Sequence, residues 1–178
     1  MKNVVIINST PRKNGNSEIL ANEFARGAKD AGNIVEVINL RDYNLKYCKG
    51  CYACHKTGAC FQKDGMNEIS EKLLNANVIV FATPVYFYSM SGQLKVFIDR
   101  LVPCYNNIRA DIYMIASQFD SDKDIMEATF NAIRGATREC FKECDEKGLI
   151  YGVGLGDILE ANEHKEYMEQ AYNFGKNC

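Results

Sequence analysis

The stretch that decides the fold is VVIINSTPRKNGNS, residues 4–17, in which an apolar run passes into a polar loop. Val4–Asn8 has the length and composition of a strand that is covered on both faces of a parallel sheet. The loop after it carries short hydroxyl and amide side chains together with Arg12 and Gly15, and a helical pattern begins beyond it. A strand, a polar turn and a helix in this order predict the opening unit of an α/β fold.

The same alternation continues along the chain. Apolar segments predict strands at residues 4–8, 34–40, 78–82, 112–117 and 149–153. Helical periodicity marks helices through Leu20–Ala28, Met66–Leu73, Leu94–Leu101, Met126–Cys140 and Tyr167–Phe174. The first helix is predicted to end at Gly32 and the fourth near Gly148, with Cys140 and Cys144 one turn apart on the fourth. Right-handed crossovers between such units predict a doubly wound α/β sheet of five parallel strands.

Composition and charge narrow the classes of function. The chain has 178 residues, of which 47% are hydrophobic and 25% charged, and this suits one soluble globular domain over residues 1–178. A formal net charge of −2 gives no broad attraction for nucleic acid or for an anionic membrane. No apolar run approaches the roughly 18 residues of a membrane span, and no signal peptide is apparent. We therefore expect a cytoplasmic protein whose 8 cysteines are thiols, redox groups or metal ligands rather than disulfides.

Residues 9–17, which we call the anion loop, are a candidate phosphate site. Ligands of doubly wound sheets bind beyond the carboxyl ends of the strands, at the switch point of the topology. Free N–H groups at the start of a helix and the charge of Arg12 are groups that bind a phosphate. The alternative is a capped helix with a polar loop and no ligand. The candidate binding residues here are Ser9, Thr10, Pro11, Arg12, Asn14, Asn16 and Ser17.

The anion loop also narrows the kind of phosphate ligand. A nucleoside-triphosphate loop ends in Gly-Lys-Ser or Gly-Lys-Thr, whereas Gly15 is followed by Asn16. A dinucleotide site needs several glycines at this turn, and Gly15 stands alone. A mononucleotide held by its phosphate remains.

A second loop, TPVYFYSMSG at residues 83–92, follows the third predicted strand and is rich in aromatic residues. It is expected beside the anion loop, across the switch point. Proline and aromatic surfaces in such a loop favour a flat apolar heterocycle as ligand. The alternative is an aromatic patch that a dimer partner or the chain itself covers.

The two loops together resemble those of the NADPH-dependent FMN reductase family. That family carries Ser-x-Arg-x-x-Gly-Asn-Ser/Thr after its first strand, and residues 9–17 match this pattern with one extra residue between Ser9 and Arg12. It carries Thr-Pro-x-Tyr after its third strand, which here is Thr83–Tyr86. The resemblance implies a flavodoxin-like three-layer α/β/α sandwich with strand order 2-1-3-4-5, bound FMN, and homodimers or homotetramers. It also implies that the anion loop holds the FMN phosphate. The residues implied to contact the FMN ring are Pro84, Val85, Tyr86, Phe87 and Ser117.

The cysteine loop, residues 47–63, is the most unusual feature of the sequence. Cys48, Cys51, Cys54 and Cys60 have the spacing C-x-x-C-x-x-C-x-x-x-x-x-C. Thiolates so close in sequence suit the corners of an iron–sulfur cubane, while zinc sites more often use two separated pairs. From the residues alone, a cluster, a zinc ion and a thiol-rich loop without metal stay open. Resemblance to the iron–sulfur flavoprotein branch of the same family implies a [4Fe-4S] cluster on these cysteines.

The resemblance also implies a function. It is that of an FMN-dependent oxidoreductase, which passes electrons from NAD(P)H or a ferredoxin through FMN to a small acceptor. The cofactor carries such chemistry, so the protein needs side chains that bind and orient it rather than a general base. Two alternatives are an electron-transfer carrier that is not an enzyme, and a thiol- or metal-binding protein on the same scaffold.

Overall fold

Five strands form a single parallel sheet in the computed structural model, which describes residues 1–178. The strands are β1 (Asn3–Asn8), β2 (Ile34–Asn39), β3 (Val78–Pro84), β4 (Asp111–Ser117) and β5 (Asp145–Gly152). Their order is β2-β1-β3-β4-β5, and every neighbouring pair is parallel. The predicted doubly wound sheet is confirmed, and so is the strand order that the resemblance implies.

Helices connect the strands and cover both faces of the sheet. They are α1 (Asn16–Asp30), α2 (Cys54–Thr57), α3 (Met66–Leu74), α4 (Gly92–Asp99), α5 (Lys123–Thr137) and α6 (Lys165–Asn177), with 3₁₀ turns at Leu40–Asp42, Tyr105–Asn107 and Glu160–Glu163. The predicted end of the first helix is confirmed, because α1 stops at Asp30 and Gly32 follows with a left-handed φ of 82°. None of these helices combines the length and the apolar character that a membrane crossing requires.

Alternating side chains of the central strands feed two hydrophobic cores. Val4 and Ile6 of β1 pack in the core that α1 and α6 cover, whereas Val5 and Ile7 pack in the core under α3, α4 and α5. Because both faces are covered, β1 and β3 are continuous apolar runs instead of alternating ones. The loops that follow the carboxyl ends of the strands are thereby held at one edge of a rigid sheet.

Helices α1 and α6 approach each other very closely through two glycines. A Cβ atom at Gly27 would lie 2.1 Å from the Tyr172 carbonyl oxygen, and one at Gly175 would lie 2.0 Å from the Phe24 carbonyl oxygen. No larger residue fits between the two backbones without moving them. This contact fixes α1, whose first turn continues from the anion loop.

The prediction for the chain around Gly148 is wrong. Helix α5 ends at Thr137, and β5 begins at Asp145, so Gly148 lies inside a strand instead of ending a helix. A Cβ atom at Gly148 would lie 2.7 Å from the ring of Phe174. The glycine therefore makes room for an aromatic ring of α6, and tertiary packing explains a residue that looks like a helix stop.

The expected placement of Cys140 and Cys144 on one helix is wrong for the same reason. Both residues follow α5, where the chain turns toward β5. Cys140 is exposed, and the half-buried Cys144 thiol donates to the Ile108 carbonyl oxygen at 3.6 Å.

Candidate functional site

The anion loop curls back on itself through local hydrogen bonds. The Thr10 N–H donates to Asn8 Oδ1 at 3.4 Å, and the Arg12 N–H donates to Thr10 Oγ1 at 3.3 Å. The Gly15 N–H then donates to the Arg12 carbonyl at 3.3 Å, and Asn14 takes a left-handed φ of 58°. Asparagine adopts that conformation more readily than most residues. The loop shape thus follows from residues that are neighbours in the sequence.

The first turn of α1 holds polar groups that have no partner in the chain. The backbone N–H groups of Asn16, Ser17 and Glu18 donate no hydrogen bond. The Ser17 hydroxyl is also unpartnered, although its residue is only 1% exposed. Leaving a buried hydroxyl unpaired costs about 1–3 kcal/mol. These free donors, with the exposed guanidinium of Arg12 lying 3.5 Å from the Gly156 carbonyl, indicate a site for a ligand that has acceptor oxygens.

An ion pair supports this turn from within the protein. Arg41, which follows β2, donates to the two carboxylate oxygens of Glu18 at 2.6 and 3.0 Å. The same carboxylate accepts the Asn14 N–H at 2.8 Å. The hydrogen bond with Glu18, only partly opposed by burial, raises the pKa of Arg41. No local pattern in the sequence indicates this pair, because its members lie 23 positions apart in separate elements.

Ser9 ties the anion loop to the neighbouring strand. Its hydroxyl donates to the Ala82 carbonyl oxygen at 3.0 Å and accepts a hydrogen bond from the Ser91 hydroxyl at 2.9 Å. Ser91 in turn caps α4 by accepting the Leu94 N–H at 3.3 Å. Ser9 is 1% exposed, so its hydroxyl lies between β1, β3 and α4.

The loop after β3 is a tight turn that presents aromatic side chains at the surface. Tyr86 and Ser89 exchange backbone hydrogen bonds of 2.8 and 3.1 Å. Between them Phe87 and Tyr88 have left-handed φ values of 49° and 61°, a strained conformation for residues other than glycine. The turn leaves Phe87 fully exposed and Tyr86 40% exposed.

The loops after β1, β3, β4 and β5 meet around one cavity, which we call the switch-point pocket. Its wall contains the predicted residues Thr10, Arg12, Asn16, Pro84, Val85, Tyr86 and Ser117. It also contains Gly15 of the anion loop and residues that the sequence did not point to, namely Gln118, Phe119, Leu155, Gly156, Asp157 and Ile158. The structure places the other predicted residues outside this wall, namely Ser9, Pro11, Asn14, Ser17 and Phe87.

Gln118 supplies a free acceptor in the switch-point pocket. Its Nε2 donates to the carbonyl oxygens of Asp120 and Asp122 at 3.2 and 2.7 Å, which fixes the orientation of the amide. Oε1 is buried without a partner, and the residue is 6% exposed. An unpaired acceptor in a pocket wall suits a ligand that offers an N–H group.

The loop after β5 closes the pocket by bonding to the start of α1. Asn16 Nδ2 donates to the Asp157 carbonyl at 2.8 Å, and Asn16 Oδ1 accepts the Ala161 N–H at 3.0 Å. The Glu160 carboxylate accepts the N–H groups of Gly156 and Asp157 at 2.6 and 2.9 Å. The Asn16 side chain is therefore used within the protein, and its backbone N–H is the group left for a ligand.

The cysteine loop lines a second pocket, which we call the cysteine pocket. Cys48, Cys51, Cys54 and Cys60 all lie on its wall, and its volume is about 130 Å³. Burial, reinforced by the charges that the other three thiols would carry, raises the pKa of Cys54. The structure thus brings together, as free thiols, the cysteines that the spacing singled out. The cysteine pocket shares no residue with the switch-point pocket.

The cysteine pocket does not have the geometry of a single-ion site. No three His, Cys, Asp or Glu side chains of the chain lie close enough together to hold one metal ion. Thiolates around one zinc ion lie about 3.8 Å apart, because each Zn–S bond is about 2.3 Å. A cubane spreads its thiolates more widely, since each binds a different iron atom. The structure therefore shows four free thiols around one cavity, without three of them converging on a single point.

Comparison with known proteins relates this architecture to flavin enzymes. The family described as NADPH-dependent FMN reductase matches residues 2–122. An iron-sulfur flavoprotein of Archaeoglobus fulgidus is 42% identical over 97 residues, which are 54% of this chain and 47% of that protein. The chain thus spans about half the length of that relative.

Solved structures share the whole fold at low sequence identity. An NAD(P)H:quinone oxidoreductase from Methanothermobacter marburgensis has a TM-score of 0.76 and 17% identity, and the match covers 99% of this chain and 96% of that one. An azoreductase from Bacillus anthracis has a TM-score of 0.74 and 16% identity, and the match covers 100% of both chains. At such identities the likeness shows the fold alone.

Proposed function

The chain belongs to the NADPH-dependent FMN reductase family, and from that premise we propose that it is an FMN-dependent oxidoreductase. It takes electrons from NAD(P)H, or from a ferredoxin, and passes them through FMN to a small acceptor. The family description supports this proposal. The activity of the whole protein is part of the proposal, because the chain spans about half of its iron-sulfur flavoprotein relative.

One observation carries the assignment of FMN. Buried polar groups of opposite character are left without partners at two places, one in the first turn of α1, which reaches the switch-point pocket at Asn16, and one in the pocket wall. The first turn of α1 offers donors, namely the Ser17 hydroxyl and free backbone N–H groups, and Gln118 Oε1 offers an acceptor. FMN has a phosphate that accepts hydrogen bonds and a ring N–H that donates one. The unpaired groups of the protein therefore match the two polar ends of this ligand.

The phosphate end is assigned to the anion loop. The N–H groups of Asn16, Ser17 and Glu18 and the Ser17 hydroxyl bind the phosphate oxygens, and Arg12 adds positive charge at the mouth. A Cβ atom at Gly15 would lie 2.8 Å from Thr10 Oγ1, so a side chain there would disturb the turn that presents these donors.

The ring end is assigned to the loops after β3 and β4. Pro84, Val85 and Tyr86 line one part of the pocket, and Ser117 and Gln118 line its polar part. When bound, FMN supplies the hydride and single-electron chemistry. The residues around it bind the ring, orient it and exclude water, and none is assigned as a general acid or base.

The cysteine pocket is assigned to a [4Fe-4S] cluster on Cys48, Cys51, Cys54 and Cys60. Its donor set is chemically suited to such a group, because all four cysteines line one largely apolar cavity. When bound, a cluster supplies single-electron transfer. All eight cysteines are free thiols, which agrees with the reducing cytoplasm that we propose as its location.

A homodimer or homotetramer is part of the same proposal. Phe87 is fully exposed and Phe119 is 83% exposed, while Tyr86 lies half-open at the pocket mouth. Exposed apolar patches on a protein surface are typical of interaction sites. A second copy placed over this surface covers the open side of the ring.

Binding of FMN to variants tests the site directly. Ser17→Ala and Arg12→Ala each remove one phosphate contact, and a charge-assisted hydrogen bond is worth about 1.5–3 kcal/mol. We expect the Kd for FMN, measured by quenching of flavin fluorescence, to rise about tenfold or more in each. Lys13→Ala is the matched control, since Lys13 lies in the same loop but is exposed and is not among the residues assigned to the phosphate. Unchanged affinity in both variants contradicts the site.

Anaerobic spectroscopy separates the enzyme from the alternatives. The proposal expects flavin bands that bleach rapidly when NADPH is mixed with the protein in a stopped-flow instrument. The proposal is contradicted if neither NADPH nor a reduced ferredoxin bleaches the flavin bands rapidly. Such a result leaves the protein with a flavin-binding role. Iron and sulfide in amounts near four each per chain support the cluster.

A further inference from the structure

Arg100 stands beside the cysteine pocket and is one of the largest fully buried side chains of the protein. It follows the end of α4, and its side chain is 1% exposed. A buried charge is tolerated only when it is paired and hydrogen-bonded. The identity of its partners therefore shows what the guanidinium holds in place.

The partners of Arg100 lie at the two ends of the cysteine loop. Nη1 donates to the Lys46 carbonyl oxygen, just before the loop, and to Asp64 Oδ2 at 2.8 Å, just after it. Nη2 donates to Asp64 Oδ1 at 3.1 Å. The Lys46 N–H also donates to Asp64 Oδ2, at 2.9 Å. One planar fork thus closes the base of the loop, a task for which the single ammonium of lysine is not suited.

A further contact joins Arg100 to a cysteine. Nη2 lies 3.3 Å from Cys60 Sγ and donates to it. The remaining N–H, on Nε, is buried without a partner in the chain. The guanidinium therefore combines a structural role at the base of the loop with a direct hydrogen bond to a proposed cluster ligand.

We propose that Arg100 is a positioning residue of the cysteine site: it clamps the cysteine loop through Lys46 and Asp64, sets Cys60 as the fourth ligand, and tunes the potential of the metal centre. The second half of this proposal rests on the proposed cluster. Hydrogen bonds to the sulfurs and local charge set the reduction potential of iron–sulfur centres. A positive charge beside Cys60 favours the reduced, more negative state, and the Asp64 carboxylate opposes it.

The opposite charges of the pair give the sharpest test. Arg100→Gln removes the positive charge and Asp64→Asn removes the negative one, so their effects on the potential have opposite signs. In protein that holds iron and sulfide, we expect Arg100→Gln to raise the ratio of oxidised to reduced cluster about tenfold at a fixed potential. We expect Asp64→Asn to lower the same ratio by a similar factor. A tenfold ratio corresponds to about 59 mV for one electron.

The clamp is tested on metal-free protein by trypsin, which cleaves after Lys49, Lys56 and Lys63. Both variants loosen the base of the loop, and we expect cleavage there at least tenfold faster than in the unaltered protein. Arg134→Gln is the control, because Arg134 also binds a carboxylate with a fork, that of Glu146, but lines neither pocket. It should leave both the loop cleavage and the potential unchanged.

A measurement on the unaltered protein covers the case in which a variant does not fold. The Lys46 N–H is bonded within the clamp, whereas the Lys49 and Gly50 N–H groups have no partner. We expect hydrogen exchange at Lys46 at least tenfold slower than at those two positions. Equal exchange, or loop cleavage unchanged in both variants, overturns the clamp, and shifts of the same sign overturn the tuning role. Unaltered protein that takes up no iron refutes the proposed cluster, while the clamp is still decided by cleavage and exchange.

Discussion

The anion loop and the cysteine loop are each held by an arginine–carboxylate pair, but the two pairs differ in burial and in reach. Arg41 and Glu18 retain 16% and 11% side-chain exposure, and they support a turn that local hydrogen bonds already shape. Arg100 and Asp64 are 1% and 7% exposed, and they join chain segments on either side of residues 47–63. The first pair adjusts the charge of a site, whereas the second pair creates the base of one.

The anion loop therefore takes its shape from residues that are close in sequence, whereas the shape of the cysteine loop depends on a residue that is distant in sequence. The donors of the anion loop are backbone N–H groups whose directions the start of α1 fixes. Between Cys48 and Cys60 the only regular element is α2, and Gly50, Tyr52 and Gly58 have left-handed φ values. The proposed phosphate site is thus built from consecutive residues, whereas the base of the cysteine loop needs Arg100, which follows α4.

The largest expected effect concerns the more buried pair. Breaking such a pair by removing one partner costs about 3–5 kcal/mol, so Asp64→Asn should lose that much free energy of unfolding in urea at pH 7. Burial by itself would raise the pKa of Asp64, but hydrogen bonds from Arg100 and the Lys46 N–H outweigh it and hold that pKa below its ordinary value. The contribution is therefore present above about pH 4 and is lost as the pH falls through the folded-state pKa.

The pH profile checks this sign. Unaltered protein should lose stability between about pH 5 and pH 2, and Asp64→Asn should lack that share of the slope. Glu146→Gln is a control, because hydrogen bonds from Arg134 also lower the pKa of Glu146 but its side chain is 19% exposed. A smaller loss is expected there. If Asp64→Asn costs no more than Glu146→Gln, the deeper burial of the Arg100–Asp64 pair does not control its contribution to stability.

An effect of intermediate size is expected from the Arg41–Glu18 pair, which supports the anion loop. Arg41→Met leaves the Glu18 carboxylate uncompensated near the bound phosphate. If about 8 Å separates the carboxylate from the phosphate, at an effective dielectric constant of about 20, the repulsion is about 2 kcal/mol, or roughly a 30-fold higher Kd for FMN. Removing both charges, in Arg41→Met with Glu18→Gln, should restore the affinity to within about threefold by the same reasoning.

The control for Arg41 is Arg26→Met. Arg26 pairs with Glu23 on the same helix, at 2.5 Å, but on its exposed face. Its loss should leave the affinity for FMN unchanged in a fluorescence titration. If Arg41→Met binds FMN as tightly as Arg26→Met does, the Glu18 charge is not felt at the anion loop.

The features that the sequence predicted correctly are those that consecutive residues determine. The run Val4–Asn8 indicated a strand buried on both faces, and the strand between two cores confirms it. The fold follows from the alternation of such runs with helical patterns. The anion loop, Thr83–Tyr86 and the cysteine spacing are also local patterns, and the structure places most of their residues around two pockets.

The features that the sequence did not reveal depend on contacts between distant segments. Gly148 resembles a helix stop, yet the ring of Phe174 explains it. Gln118 becomes a pocket acceptor only because the carbonyls of Asp120 and Asp122 fix its amide. Arg100 is one of many basic residues until its burial beside Cys60 is known. No period or motif in the chain carries such information, since it arises from packing.

The smallest effect tests whether the aromatic side of the switch-point pocket is also set before its ligand binds. Tyr88 has a left-handed φ of 61° and lies outside the pocket wall. Because glycine takes this conformation without strain, Tyr88→Gly should raise the free energy of unfolding by about 0.5–1 kcal/mol and leave the Kd for FMN unchanged. Tyr105→Gly, at an exposed residue whose φ is not left-handed, should lose stability by a similar amount. A loss in both variants means that contacts of the Tyr88 ring hold the turn, and the loop after β3 then resembles the cysteine loop more than the anion loop.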